Sequence, residues 1–341
     1  MTLIFVGLGL GVPPHLTLEA LEVIRSADRL ILDSYTSIIP DALIQFIKRE
    51  AGDRLRIAER SLLEERSGEV LEEASRGEVA ILVPGDPFIA TTHQSLKTEA
   101  LKRKIKVRVV HGLSIFTAAI SASGLHIYKF GRTATIPKTN NVKLMSQPYN
   151  VLAENLSRGL HTLFLLDTAE GGVSVGEALN LLLSAEEEFG RGVVRRDSLV
   201  IALSRVGYGD SRTVAGSISS VANLIPQQPP HTLIFPGELH FTEKEAVKAY
   251  SIDAELVERH TPSDYVKERI ERYVGKCRRV IDTVIEQRAA DKDFISYVEA
   301  YVEDSQRFMM AGDYTNALLA IGYAEGLLDA LKLLGRARFE W

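Results

Sequence analysis

Among 341 residues there is one cysteine, one tryptophan and four methionines. A lone Cys277 excludes an intrachain disulfide, fits a reducing compartment, and sits in a helical pattern that should pack it. No apolar run approaches the roughly 18 residues that a bilayer-spanning helix needs, so no membrane association is expected. The opening Met1-Thr2-Leu3-Ile4-Phe5-Val6 has no basic leader or cleavage pattern and reads as a first strand, which places the protein in the cytoplasm. Positive charge is not in surplus either: 40 Lys and Arg against 45 Asp and Glu leave a formal charge of -5. No direct nucleic-acid binding is expected from that balance. The chain has no G-x-x-x-x-G-K-[ST] string, no G-x-S-x-G elbow and no His/Cys/Asp cluster at metal-ligand spacing, which removes P-loop, serine-hydrolase and metal chemistry.

What remains is an ordinary globular composition, 45% hydrophobic and 25% charged, in a chain long enough for roughly two or three domains. Its focus is Ile81-Leu82-Val83-Pro84-Gly85-Asp86-Pro87-Phe88-Ile89-Ala90-Thr91-Thr92-His93. A buried strand there delivers its carboxyl end into a rigid loop, which is where open α/β sheets hold ligands. Gly85 permits close approach and Asp86 is a carboxylate in a constrained place; a plain helix cap is the other reading of that aspartate.

Around this stretch, strands alternate with helices. Strands are expected at Leu3 to Val6, Arg29 to Leu32, Val79 to Val83 and Val107 to Val110. Helices are expected from Thr17, carrying Leu18, Leu21, Val23 and Ile24 inward, then over 41–49, 62–76 and 95–103. That order argues for a mainly parallel sheet. After His111-Gly112-Leu113-Ser114-Ile115 comes a helix of small residues, and strands at 162–166, 199–203 and 231–235 form a second α/β half, with 137–148 as a loop. Beyond Thr261-Pro262 the pattern is helical, and Gly322 and Gly326, four apart, predict tight packing on one face. The triplet Glu186-Glu187-Glu188 reads as a solvated helix face.

Gly7-Leu8-Gly9 after a strand suggests a dinucleotide fold, but the third glycine position is Val12 and Pro13-Pro14 spoil the helix start that would hold a pyrophosphate. Strand ends carrying Gly, Pro, Ser and apolar residues with one acid suit an aromatic base and a ribose without phosphate.

Val6-Gly7-Leu8-Gly9-Leu10-Gly11, with Leu16-Thr17 and Glu19-Ala20, resembles the first signature of the tetrapyrrole methylase superfamily, and Pro84-Gly85-Asp86-Pro87 its second. Within it, 89–93, Gly124-Leu125-His126-Ile127-Tyr128-Lys129-Phe130-Gly131, 159–163 and Pro229-Pro230-His231 resemble the diphthine synthases, in the same order over about residues 1 to 255. The resemblance implies two α/β domains, 1–111 and 112–258, with a cofactor cleft between them, usually in a homodimer. It implies transfer of methyl groups from S-adenosylmethionine, leaving S-adenosylhomocysteine, to the modified histidine of translation elongation factor 2. The acceptor is the amino nitrogen of its 3-amino-3-carboxypropyl group, and archaeal members add three methyls. Carried over by motif, the cofactor-contacting positions are Leu10, Asp86, Ile89, Ser114, Ile115, Leu166, Val206 and His231. Ser114 is compatible with both a helix cap and a ligand contact, and His126, Tyr128 and Lys129 with either a substrate-facing loop or a solvated strand edge. No general base is identified; bulk water or a backbone carbonyl would serve.

Two segments depart from the family: Gly11-Val12-Pro13-Pro14 replaces an acidic loop, and 137–148 replaces a longer, aromatic-bearing one on the expected substrate side. The helical module 262–341 resembles a small uncharacterised archaeal family over roughly 262–336, which implies an archaeal source and no activity. A tetrapyrrole (precorrin) methylase, and a non-catalytic cofactor-binding protein acting through that module on an unknown partner, are the competing readings.

Overall fold

The computed structural model describes residues 1–226 and 228–341, with Glu170 described by its backbone alone. One compact unit comprises Met1–Gly190 and Val194–Thr261; a second comprises Arg191–Val193 and Pro262–Trp341.

The first sheet of the larger unit holds β1 (Thr2–Gly7), β2 (Arg29–Asp33), β3 (Leu55–Ala58), β4 (Glu78–Val83) and β5 (Lys106–Val110) in the order β3-β2-β4-β1-β5, every pair parallel. Helices on both faces explain why β1 and β4 are near-continuous apolar runs. Leu3, Phe5, Ile81 and Val83 pack on one face with Leu62 and Val70, whereas Ile4, Val6, Ala80 and Leu82 pack on the other with Val23 and Ile47. This two-residue alternation fixes the register of the central strands.

The second sheet holds β6 (Ala134–Ile136), β7 (Thr162–Leu166), β8 (Leu199–Ser204), β9 (Arg212–Ser217) and β10 (His231–Phe235) in the order β6-β7-β10-β8-β9. It is mixed: β10 runs antiparallel to both β7 and β8.

Several expectations need correction. Thr17 caps the helix Leu18–Ser26 through its hydroxyl, but Leu18 is 82% exposed, and Ala20, Val23 and Ile24 make the buried face. The charged stretch 62–76 is broken into Arg60–Glu64 and Ser67–Ala74. The loop over 137–148 ends early, because Val142–Met145 forms a 3-10 turn and a helix runs from Ser146 to Leu156. Glu186 is not simply solvated, since its carboxylate accepts from Tyr149 Oη at 2.9 Å and from Val194 N at 2.8 Å.

In the smaller unit, the helices Tyr265–Glu286, Lys292–Met310 and Tyr314–Leu333 each begin on an aspartate cap, Asp264, Asp291 and Asp313. Ile270, Cys277, Ile281, Val298, Ile321 and Leu328 share its core, and burial pushes the Cys277 thiol up to about 12. The tight packing expected at Gly322 and Gly326 is absent: among the described residues nothing lies within 4 Å of where a Cβ would stand at either. The core-facing positions of that helix are Ala317, Ile321, Ala324 and Leu328 instead.

Candidate functional site

The carboxyl ends of β1, β2, β4, β5, β7 and β8 and the amino end of β10 converge on a cavity of about 290 Å³. This is the lower end of the range for small-molecule sites, roughly 300 to 1,000 Å³. Leu10, Asp86, Ile89, Ser114, Ile115, Leu166, Val206 and His231 all line it, so the positions singled out from sequence are brought together in one place.

The loop after β4 is built by its backbone. Gly85 has φ +75°, so its glycine is required by conformation; nothing lies within 4 Å of a Cβ placed there. Its N–H donates to Gly9 O at 2.8 Å, and Gly9 N donates back to Gly85 O at 3.2 Å, locking the loops after β1 and β4 together. Close approach is instead the demand at Gly7 and Gly112: a Cβ at Gly7 would stand 2.4 Å from Gly112 N, and one at Gly112 would stand 2.1 Å from Gly85 O.

Asp86 is 6% exposed and does not cap a helix. Its Oδ1 accepts from Phe88 N at 3.0 Å and its Oδ2 from His111 Nδ1 at 2.8 Å. Ser114 does cap, accepting from Phe116 N at 3.2 Å at the start of the helix Ile115–Ser123, while also facing the cavity. His231 Nε2 donates to Pro226 O at 2.7 Å, which leaves Nδ1 as an acceptor, buried and without a partner. Burial pushes this imidazole below the ordinary histidine pKa of 6.5, so Nδ1 keeps its lone pair at neutral pH.

Sequence reasoning missed part of the wall: Thr36, Ser37, Asp167, Thr168 and Tyr208 also line the cavity. Asp167 follows the end of β7 directly, so the strand-end rule that found Asp86 would have found it. The Thr36 loop is held from below by Asp33, whose carboxylate accepts from Tyr35 N, Thr36 N and His93 Nε2 at 3.0, 3.1 and 2.9 Å. Burial works to raise the Asp33 pKa, but the bonds from His93, Thr36 and Tyr35 outweigh it and hold the carboxyl below its ordinary value. His93 thereby ties the loop after β4 to the loop after β2.

His126, Tyr128 and Lys129 do not line the cavity. His126 N and Lys129 Nζ donate to the fully buried Glu243, at 2.8 and 2.6 Å, joined by His240 N at 2.8 Å and His161 Nε2 at 3.0 Å. Burial pushes the Glu243 pKa upward, yet those four donors prevail and hold it at about 2. Tyr128 remains 80% exposed.

The lining tests what it can hold. Asp86 and Asp167 supply two carboxylates, and among the described residues no lysine or arginine lines the cavity. That balance disfavours a phosphate and favours a ligand with net positive charge. Ile38, Ile89, Ile115 and Leu166 offer apolar surface for a base, and His231 Nδ1 waits for a donor. S-adenosylmethionine, with a sulfonium, an ammonium, ribose hydroxyls and an adenine amino group, fits that set. Among the described residues no side-chain cluster could hold a metal, and no helix is long and apolar enough to cross a membrane.

Comparison with known proteins adds the following. Residues 2–222 match the family of Tetrapyrrole (Corrin/Porphyrin) Methylases, and residues 265–337 match Protein of unknown function (DUF357). A diphthine synthase of Methanopyrus kandleri is 43% identical over 253 residues, covering 72% of this chain and 94% of that protein. One of Staphylothermus marinus is 38% identical over 247 residues, covering 70% and 89%. A crystal structure of diphthine synthase superposes with a TM-score of 0.69 at 32% identity, covering 76% of this chain and 99% of that one.

Proposed function

The chain belongs to the tetrapyrrole methylases and, within them, to the diphthine synthases, and from that premise we propose how its cavity works. The protein is an S-adenosylmethionine-dependent methyltransferase of diphthamide biosynthesis. In our reading the acceptor is the amino nitrogen of the 3-amino-3-carboxypropyl histidine of elongation factor 2, methylated three times. The domain limits 1–111, 112–258 and 262–341, a homodimeric state, a cytoplasmic location and an archaeal source belong to the same reading.

The observation that carries it is the cavity's lining: two carboxylates, no lysine or arginine among the described residues, and an unpartnered imidazole nitrogen between apolar walls. When bound, the cofactor supplies an electrophilic methyl carbon on a positively charged sulfur. Asp86 and Asp167 favour that charge, His231 Nδ1 accepts from a ligand N–H or O–H, and the isoleucines grip the base. The locked loops after β1 and β4 keep Leu10 and Asp86 at fixed separation. Positioning of this kind supplies much of the rate of an in-line displacement.

The test is incubation with labelled S-adenosylmethionine and archaeal elongation factor 2 carrying the unmethylated precursor side chain. Label is expected on the factor. Label on a precorrin and not on the factor overturns the acceptor, and cofactor binding with no turnover on either favours a binding protein.

A further inference from the structure

Tyr208 carries the one six-membered aromatic ring among the described residues that line the cavity. It stands in the turn between β8 and β9, and that turn is built to hold the ring still. Arg205 opens it at φ +51°, a left-handed backbone that a non-glycine residue adopts at a cost, and its N–H donates to Pro230 O at 2.9 Å. Its side chain is pinned as well: Nε donates to Asp210 Oδ1 at 2.8 Å, and the guanidinium carbon stands over one face of the Tyr208 ring, 4.4 Å from its centre. Tyr208 N donates to Arg205 O at 2.9 Å. The hydroxyl end of the ring rests against Gly11, where an added Cβ would collide with it, and Gly207 lies as closely on Leu10 and His15. The ring is thus clamped between the loop after β1 and an ion pair, with one face covered.

We propose that Tyr208 stacks its uncovered face on the adenine of the bound cofactor and sets the affinity at the nucleoside end of the site. The proposal rests on the methyltransferase reading above and deepens it, giving the base an aromatic partner beside the aliphatic walls.

Charge decides which part of the ligand the ring takes. A ring that already holds a guanidinium on one face has little attraction left for a second cation, so the sulfonium and the ammonium fall to the carboxylates of Asp86 and Asp167. A neutral purine needs no charge, and offset stacking of its face on an aromatic ring is favourable in itself. Burial raises the Tyr208 pKa above its usual value, so the ring presents itself as a neutral phenol.

The strand pairing puts a second base contact at the same edge of the cavity. His231 opposes Ser204 in the β8–β10 ladder, and the bond from Arg205 N to Pro230 O ties the Tyr208 turn to the residue just before His231. An adenine on this ring can offer its amino group to His231 Nδ1, the buried acceptor without a partner. Because the ring is held before the ligand arrives, stacking does not have to freeze it.

The test uses two ligands on the full-length protein, each measured by calorimetry. S-adenosylhomocysteine is one; 5′-methylthioadenosine, which keeps adenine, ribose and a thioether but has neither a sulfonium nor an amino-acid end, is the other. Tyr208→Leu should weaken both by about tenfold or more, the size of one lost base stack, and by the same factor, since both carry the base. Tyr208→Phe, which keeps the ring, should recover most of that loss. In turnover, Tyr208→Leu should raise KM for S-adenosylmethionine by a larger factor than it lowers kcat. Tyr208→Trp combined with Trp341→Phe leaves one indole in the chain, at position 208, and 5′-methylthioadenosine should quench its emission. A Tyr208→Leu protein that binds 5′-methylthioadenosine as tightly as wild type, or an indole whose emission the ligand leaves unchanged, overturns the stack. A loss that Tyr208→Phe shares in full overturns it too, because the hydroxyl would then be the contact. Wild-type protein that binds neither ligand overturns the cofactor reading beneath the proposal instead.

Discussion

Asp86 spends both carboxylate oxygens inside the protein, one on Phe88 N and one on His111, while facing the cavity. Its loss therefore removes a ligand-facing charge and loosens the turn that aims it. Asp86→Ala is expected to weaken cofactor binding about tenfold or more, roughly 1.4 kcal/mol, with the circular dichroism spectrum unchanged. Equal affinity by calorimetry would show that this carboxylate does not meet the cofactor. His231 makes a pH prediction. Because its folded pKa is depressed below 6.5, Nδ1 stays unprotonated at neutral pH and for some way below 6.5. Cofactor affinity should be flat through that range and fall only at more acid pH, where Nδ1 takes a proton; a fall already centred at 6.5 would remove this nitrogen from the site. Asp86, Ser114 and His231 were legible because motif order carried them. Asp167 stands where the strand-end rule points but in no recognisable motif, and Tyr208, in the loop between β8 and β9, has no signature of its own.

At the scale of elements, the central strands were readable and, of the four edge strands, only β5 with its valine-rich Val107 to Val110 was. β3, β6 and β9, all absent from the sequence reading, are sheet edges. An edge strand is buried on fewer sides, so Leu55-Arg56-Ile57-Ala58 never becomes an apolar run. β10 was expected at 231–235 and is there, but its antiparallel direction was not read, because periodicity carries no direction. Glu243 shows locally only as the third residue of a helix capped by His240, because its other side-chain partners Lys129 and His161 are 114 and 82 residues away. Glu243→Gln removes the charge that answers Lys129 and should cost about 1 to 3 kcal/mol of unfolding free energy, read as a lower urea midpoint. The sign with pH follows from its depressed pKa: the stabilisation is complete above about 4.5 and is lost as pH falls toward about 2. The wild-type protein should lose stability across that window and the variant should lose less; parallel curves would separate Glu243 from acid unfolding.

For the whole molecule, the division near residue 261 was visible as the point where strand patterns stop. Among the described residues, every one lining the cavity lies between Gly9 and Thr232, and the core of the helical unit is drawn from 270–337. A chain ending at Thr261 is accordingly expected to bind the cofactor within about twofold of the full-length affinity. The segment 262–341 alone should give a helical spectrum and a cooperative melt. A large loss of cofactor affinity in the shortened chain would give the helical unit a part in the donor site that its lining does not suggest.

The contact between Gly7 and Gly112 bears on the thermodynamics of capture. Neither glycine lines the cavity, but Gly85 does, and its carbonyl rests on these two backbones with no side chain between the strand ends. A wall made of main chain has no rotamers to freeze, and side-chain ordering commonly costs about 0.5 to 1.5 kcal/mol for each long residue immobilised at a binding surface. On this side, then, the loss of freedom on binding falls on the incoming molecule and on water. One added methyl at either glycine would stand against backbone, 2.4 Å from Gly112 N or 2.1 Å from Gly85 O, and displace that support.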